Sequence, residues 1–259
     1  MIRMVIGGKV VLITGASAGI GAACAAEFRQ RGARLSLTAR SQDKLQTVGG
    51  AEALITAGDI TEAETRVRVV ERTLERFGRI DILINNAGAG LYGRTWEIPP
   101  AEARKLFELN FFAPLAMVQL VAPHMRMRKS GTIVNVGSIA GKVTLPWFTL
   151  YSASKYALGS LTDGLRMELR QDGIHTMAVC PGYVQTGFLE HVLSGRAPQR
   201  VLRSVRFAIT AEQCAAAIAR GVERDARTVV TPRAGWIFVA LERLLPSVVD
   251  ARMAALNRD

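Results

Sequence analysis

The sequence has little of what staples a small or secreted fold. It carries three cysteines in 259 residues, Cys24, Cys180 and Cys214, widely spaced and without a C-x-x-C pair. That excludes a disulfide scaffold, and the apolar or small-residue setting of each reads as a reduced core thiol in a cytoplasmic compartment. Its three histidines, His124, His175 and His191, are scattered. A structural zinc site therefore has no ligand cluster, and no metal is expected. Aromatic residues make up only 6% of the chain. No basic run interleaved with aromatics appears, so nucleic-acid binding is not expected. No apolar stretch approaches the ~20 residues of a transmembrane helix. The start, Met1 to Ile6, is too short for a signal peptide before the first strand. Linkers, repeats and low-complexity segments are missing too.

What is present suits one domain. At 49% hydrophobic and 21% charged residues, the chain has ample core material and too few charges for disorder. A domain of this length buries roughly 70–75% of its unfolded surface and needs no cross-link. The formal charge of +11, from 33 Lys+Arg and 22 Asp+Glu, raises the question of an acidic partner, with a generally basic surface as the plainer account.

Apolar β-rich runs alternate with helix-period runs. Strands are expected at 9–14, 34–39, 80–85, 131–137, 174–180 and 227–231, with a third strand ending just before Asp59. Helices are expected from about Ile20 to Arg31 and near 61–77, 101–129, 152–172 and 211–224. Strands apolar on both faces and separated by helices imply a parallel sheet covered on both sides. The expectation is a single α/β Rossmann domain over 1–259, a doubly wound sheet of about seven strands. Such sheets bind ligands at the carboxyl ends of their strands.

After the first strand comes Thr14-Gly15-Ala16-Ser17-Ala18-Gly19-Ile20-Gly21. Glycines there permit a sharp turn and a close backbone approach to a pyrophosphate, and a helix N-terminus favours negative charge. The spacing is G-x-x-x-G-x-G. Asp59 and Ile60 follow the third strand, Asn85-Asn86-Ala87-Gly88 the fourth, and Ser138 the fifth. Asn110 sits in the helix after the fourth strand. Tyr151-Ser152-Ala153-Ser154-Lys155 opens another helix, and Pro181-Gly182 with Val184 and Thr186 follows the sixth strand.

With these elements in this order, the chain resembles the short-chain dehydrogenase/reductase family from Lys9 to about Thr231, loosely closest to reductases related to microsomal hydroxysteroid dehydrogenases. The resemblance implies a nicotinamide cofactor held by Gly15, Ser17, Ala18, Gly19, Ile20, Gly21, Asp59, Ile60, Asn86, Ala87, Gly88, Tyr151, Lys155, Pro181, Gly182, Val184 and Thr186. It implies catalytic roles for Ser138, Tyr151, Lys155 and Asn110, Asn110 supporting a proton relay. It also implies a homodimer or homotetramer.

The second strand ends Thr38-Ala39-Arg40-Ser41, with no carboxylate before Asp43. An acidic residue would suit the ribose hydroxyls of NAD, whereas Arg40 with Ser41 suits a 2′-phosphate. NADP(H) is therefore expected ahead of NAD(H). Tyr151 and Lys155, spaced i, i+4, share one helix face. A nearby cation lowers a phenol's ordinary pKa of about 10 toward the range useful for acid–base work. Ser138 would steady the charge developing on the substrate oxygen.

Three segments are expected to meet the substrate: 88–92, Val143 to Leu150 with Pro146-Trp147-Phe148, and the stretch after Pro181-Gly182, where Tyr183 precedes a lid over 186–210 that includes Gly187-Phe188-Leu189. Their apolar character points to an apolar carbonyl or alcohol. Arg196, Arg200, Arg203 and Arg206 recur at helical spacing in that lid, as a solvated face or as an attraction for an anionic substrate. An amphipathic extension over 233–259 carries a stripe of Trp236, Ile237, Ala240, Leu241, Leu244 and Leu245, resumed after Pro246 by Val248, Val249, Met253 and Leu256. It is expected to pack on the body or join a subunit interface, with contact at a membrane surface the third option. The overall expectation is a hydride-transferring enzyme; the alternative is a non-catalytic NADP-sensing or scaffold protein on the same fold.

Overall fold

The computed structural model describes residues 4–189, 192–195 and 208–255. The lid arginines 196, 200, 203 and 206, and Leu256, lie outside the described residues.

Strand β1 (Val10–Thr14) leads through a glycine turn into α1 (Gly19–Gln30), then β2 (Arg34–Ala39), α2 (Gln42–Gly49), β3 (Leu54–Ala57), α3 (Ala63–Phe77) and β4 (Ile82–Asn85). The second half runs α4 (Pro100–Phe107), a π-helical turn (Glu108–Phe112), α5 (Ala113–Met127), β5 (Gly131–Val136), α6 (Thr149–Glu168) and β6 (Ile174–Pro181). Two short strands, β7 (Val184–Gln185) and β8 (Ile209–Thr210), pair with each other, followed by α7 (Ala211–Glu223), β9 (Thr228–Thr231), α8 (Gly235–Leu244) and α9 (Pro246–Ala255).

The main sheet has seven parallel strands in the order β3-β2-β1-β4-β5-β6-β9. The order reverses between β1 and β4, so a crevice opens there at the strands' carboxyl ends. Side-chain alternation divides the core into two layers. Val11, Ile13, Ile82, Ile84, Val134 and Val136 face α1 and α7, where Cys24 and Cys214 are buried. Leu12, Leu83 and Ile133 face α3, α5 and α6. At the other end of the sheet Asp81 accepts a hydrogen bond from the Val10 N–H at 2.8 Å and pairs with Arg79 at 3.0 Å, tying β4 to β1.

Three expectations need correction. The 101–129 helix is split by the π turn, and α2 follows β2 where no helix was expected. The run 100–127 is long and apolar enough to span a bilayer, contrary to the reading that no stretch approaches that length. Met117, Val118, Val121 and Met125 instead bury it against the sheet, which makes it a core helix. In the C-terminal extension only part of the stripe packs. Val239 and Val249, with Phe238 and Met253, sit on Val143 and Ile139. Trp236, Ile237, Leu241, Leu244, Leu245 and Val248 are exposed, Leu244 by 77%. The surface offered by Val143 and Ile139 is narrow, so one edge of each helix fills it and the wider stripe faces outward.

Candidate active site

The glycine turn is closed from both sides. Gly15 and Gly19 have positive φ, 65° and 55°, a region costly for side-chain-bearing residues. A Cβ on Gly15 would stand 2.8 Å from Ala87 Cα, and one on Gly21 would overlap the Gly15 carbonyl and reach 2.5 Å from Asn86 Nδ2. Gly19 lies against Thr186, its Cβ position 3.1 Å from the Thr186 methyl. Helix α1 begins at Ala18 with no side-chain cap, leaving its first N–H groups to a ligand. Gly15, Gly19, Gly21, Asn86, Ala87 and Thr186 thus converge on one cradle whose missing side chains make room for a pyrophosphate.

Thr14 organises that cradle, a role the sequence reading did not assign. Its buried Oγ1 accepts hydrogen bonds from the N–H groups of Asn86 and Ala87 at 3.0 and 3.1 Å. Asn86 Nδ2 donates back to the carbonyls of Thr14 and Gly15 at 3.0 and 3.1 Å. The available signal was a hydroxyl residue ending an otherwise apolar strand. Asn85 is different: buried, it donates to Asn135 Oδ1 at 2.9 Å, and Asn135 donates to Thr162 Oγ1 at 2.9 Å. This ladder fastens α6 to the sheet.

The remaining cofactor candidates flank the cradle. Ser17 and Ile20 are half-buried in the turn and first helical residues. Arg40 is exposed at the end of β2 and has no hydrogen-bond or ion-pair partner among the described residues, and Ser41 stands at the start of α2. One oxygen of Asp59 accepts from the Thr61 N–H and hydroxyl at 2.9 and 2.8 Å. The buried Ile60 presents its carbonyl to Arg66. Pro181 closes β6, the Gly182 N–H is held by the Thr231 carbonyl at 2.8 Å, and Val184 pairs with Ile209 in the small sheet.

The catalytic candidates form a second cluster beside the cradle. Tyr151, in the first turn of α6, is 5% exposed. Beside its phenol stands Ser138, which follows β5 and caps a short 3-10 turn by accepting from the Ala140 N–H at 3.1 Å. Contrary to the lowering expected from a nearby cation, burial pushes the Tyr151 phenol up to about 12, partly opposed by the Ser138 hydroxyl, because the loss of water around the ring outweighs its polar neighbours. Lys155, one turn on, donates to the Val136 carbonyl at 3.1 Å and stands 5.7 Å from the Tyr151 ring centre. Its burial lowers the ammonium to about 8.

Asn110 sits in the π turn, where the widened backbone brings its side chain inward. It accepts from the Ala89 N–H and donates to the Ala89 carbonyl, both at 3.0 Å, and donates to Ser154 Oγ at 3.0 Å. Ser154, also unassigned from sequence, donates to the Tyr151 carbonyl at 2.7 Å. Gly88 completes the arrangement. A Cβ there would lie 3.1 Å from Asn110 Oδ1 and 3.3 Å from Lys155 Nζ, so only glycine leaves the passage between them open.

A recess of about 1250 Å³ lined by Lys9, Gly131, Asp163, Arg166 and Arg227 lies at the opposite end of the sheet. It is far from this chemistry and contributes nothing to it. No group of His, Cys, Asp and Glu suited to a metal occurs among the described residues.

The comparisons agree with the geometry. The family model described as short chain dehydrogenase matches residues 9–197. The chain is 36% identical over 199 residues to the Danio rerio dehydrogenase/reductase SDR family member 7B, covering 72% of this chain and 64% of that protein. It is 33% identical over 254 residues to the Arabidopsis thaliana 11-beta-hydroxysteroid dehydrogenase-like 2, covering 94% and 80%. Among solved structures, a Burkholderia phymatum short chain dehydrogenase/reductase in complex with NAD superposes with TM-score 0.85 at 27% identity, covering 93% of this chain and 94% of that one. A Burkholderia cenocepacia short chain dehydrogenase in complex with NADP gives 0.82 at 28%, covering 96% and 99%.

Proposed function

The chain belongs to the short-chain dehydrogenase family, and we propose that it is an NADP-dependent reductase of apolar carbonyl compounds, interconverting C=O and CH–OH. The observation that carries this reading is the buried Tyr151 phenol, with Ser138 beside it and Lys155 one helical turn on. NADPH, when bound in the cradle, supplies the hydride that adds to the carbonyl carbon.

The chain's own residues handle the oxygen. Ser138 donates to the substrate oxygen, and Tyr151 Oη transfers its proton to that oxygen as charge develops there. Lys155 stabilises the resulting phenolate electrostatically, and its position beside Gly88 and Asn110 suits it to return a proton to Tyr151. With burial raising it to about 12, the phenol is protonated at neutral pH, the form that can give a proton to a carbonyl oxygen. The residues packed around Tyr151 (Leu91, Tyr92, Leu145, Phe148, Phe188 and Val192) are apolar and favour a hydrophobic substrate.

Arg40, exposed at the end of β2 and unpartnered among the described residues, supports NADP over NAD. Solved neighbours carry either cofactor. The test is kcat/KM with NADPH and with NADH. We expect a ratio well above one, falling by about 10- to 100-fold in Arg40→Ala, the value of one or two charge-assisted hydrogen bonds. A ratio near one, or no change in the variant, refutes the NADP assignment. The exposed apolar face of α8 and α9 supports homo-oligomerisation, and the free, buried cysteines support a reducing, cytoplasmic setting.

A further inference from the structure

We propose that Phe148 is a positioning residue for the catalytic phenol, acting through an aromatic column that the reaction itself does not require. The Phe148 ring lies face to face with Tyr151, centroids 4.1 Å apart and planes 24° from parallel. Tyr92 covers its other face at 4.1 Å and 12°, and Phe188 bounds Tyr151 at 5.7 Å and 58°. The inference rests on the reductase reading above and assigns the column a task within it.

The backbone is built to hold the middle ring. The Phe148 N–H donates to the Leu145 carbonyl at 3.1 Å, and its carbonyl accepts from the Ser152 N–H at 2.8 Å. Trp147 has φ of 63°, a left-handed conformation costly for a side-chain-bearing residue. Its carbonyl accepts from the Gly93 N–H at 2.9 Å, and the Tyr92 N–H donates to the Ser194 carbonyl at 3.0 Å. The strained turn therefore brings Phe148 beneath Tyr151, and three loops are laced to keep it there. Gly90 leaves room for the ring: a Cβ there would stand 3.0 Å from Phe148 Cζ.

A phenol that must meet a substrate oxygen at hydrogen-bonding distance loses rate when its ring can swing. Stacking on one face and Phe188 at the other side leave the Tyr151 ring a single orientation. The same column keeps water from the ring, and exclusion of water is the cause of the raised phenol pKa. Removing the middle ring frees the phenol and wets it.

The experiment compares wild type, Phe148→Leu, Tyr92→Leu and Tyr92→Phe. It measures steady-state NADPH oxidation with a carbonyl the wild type accepts, NADPH affinity, and an ultraviolet difference titration of the Tyr151 phenol with Tyr151→Phe as the blank. In Phe148→Leu kcat should fall at least tenfold, by more than KM for the carbonyl rises, with NADPH affinity within threefold of wild type. Its phenol should titrate on the order of one pH unit lower. Tyr92→Leu should move both readings the same way by less, and Tyr92→Phe, which keeps the ring, should leave the Tyr151 titration where the wild type has it. A kcat within threefold of wild type, a loss confined to KM, or an unmoved titration overturns the proposal. The titration needs no turnover. A wild type inactive on every carbonyl would thus sink the reductase reading while the column is still judged on its own.

Discussion

Lys155 offers the sharpest physical test, because its burial has a cost that pH can switch off. The side chain is 5% exposed, and burial lowers its ammonium from 10.5 to about 8. In the unfolded chain the group stays protonated up to its ordinary value. Between about pH 8 and 10.5 the folded state therefore binds fewer protons than the unfolded state, and stability rises with pH at about 1.4 kcal/mol per unit. Below pH 8 the charge is present in both states and the full penalty of burying it, about 3 kcal/mol, is borne by the fold. The comparison is wild type against Lys155→Met, unfolded with urea without cofactor at pH 7 and pH 9.5.

The Met variant loses the bond to the Val136 carbonyl, but that loss does not depend on pH and cancels. The buried thiols of Cys24 and Cys214, whose pKa values are raised, destabilise both proteins alike as their unfolded forms ionise. Cys180, whose thiol the Lys155 charge holds down, is taken out of the comparison by making both proteins as Cys180→Ala. Tyr151 contributes only above its unfolded value of about 10. Wild type should thus gain about 2 kcal/mol on the variant between the two pH values. Parallel stability profiles, differing by a constant within about 0.5 kcal/mol, would refute the buried-ammonium account and with it the tuned lysine of the proposed mechanism.

Other outcomes follow from the same contacts. Tyr151→Phe should abolish turnover while leaving NADPH affinity within about twofold; activity above a few per cent of wild type would remove the phenol from the chemistry. Gly21→Ala pushes a methyl into the Gly15 carbonyl and Asn86, so NADPH affinity measured by fluorescence should drop at least tenfold, and unchanged affinity would contradict the cradle. Asp81→Ala leaves the Val10 N–H and Arg79 without their acceptor at the far end of the sheet. Urea unfolding should show a loss of about 2–4 kcal/mol, with kcat of the remaining folded enzyme unchanged.

Much of the site was legible because its residues are punctuation. Glycines after β1, the Asn86-Ala87-Gly88 turn after β4, Ser138 after β5 and the i, i+4 pair of Tyr151 and Lys155 all interrupt apolar runs where a doubly wound sheet exposes its strand ends. The residues that hold these in place were not legible. Thr14 and Ser154 look like ordinary small polar residues until the chain brings Asn86 and Asn110 beside them, 72 and 44 positions away in sequence. The π turn that delivers Asn110 had a signal the sequence reading passed over: Pro114, four residues on, has no N–H to give the Asn110 carbonyl and crowds it, so the regular α-helical ladder is interrupted there.

Periodicity alone determined the class of fold, the single parallel sheet and the edge at which chemistry had to sit, because strand and helix periods are local properties of the chain. Only the tertiary structure decided which way an apolar stripe faces and which ring lies on which. Along α8 and α9 the sequence marks a hydrophobic side, yet Val239 and Val249 fill the narrow surface available and Trp236, Ile237 and Leu244 are left outside. At Tyr151 the sequence names a catalytic phenol, yet its partner Phe148 is set by a left-handed Trp147 and by loops from three distant parts of the chain. Amphipathicity states that a face is apolar; what covers that face depends on the shape of everything else that folds against it.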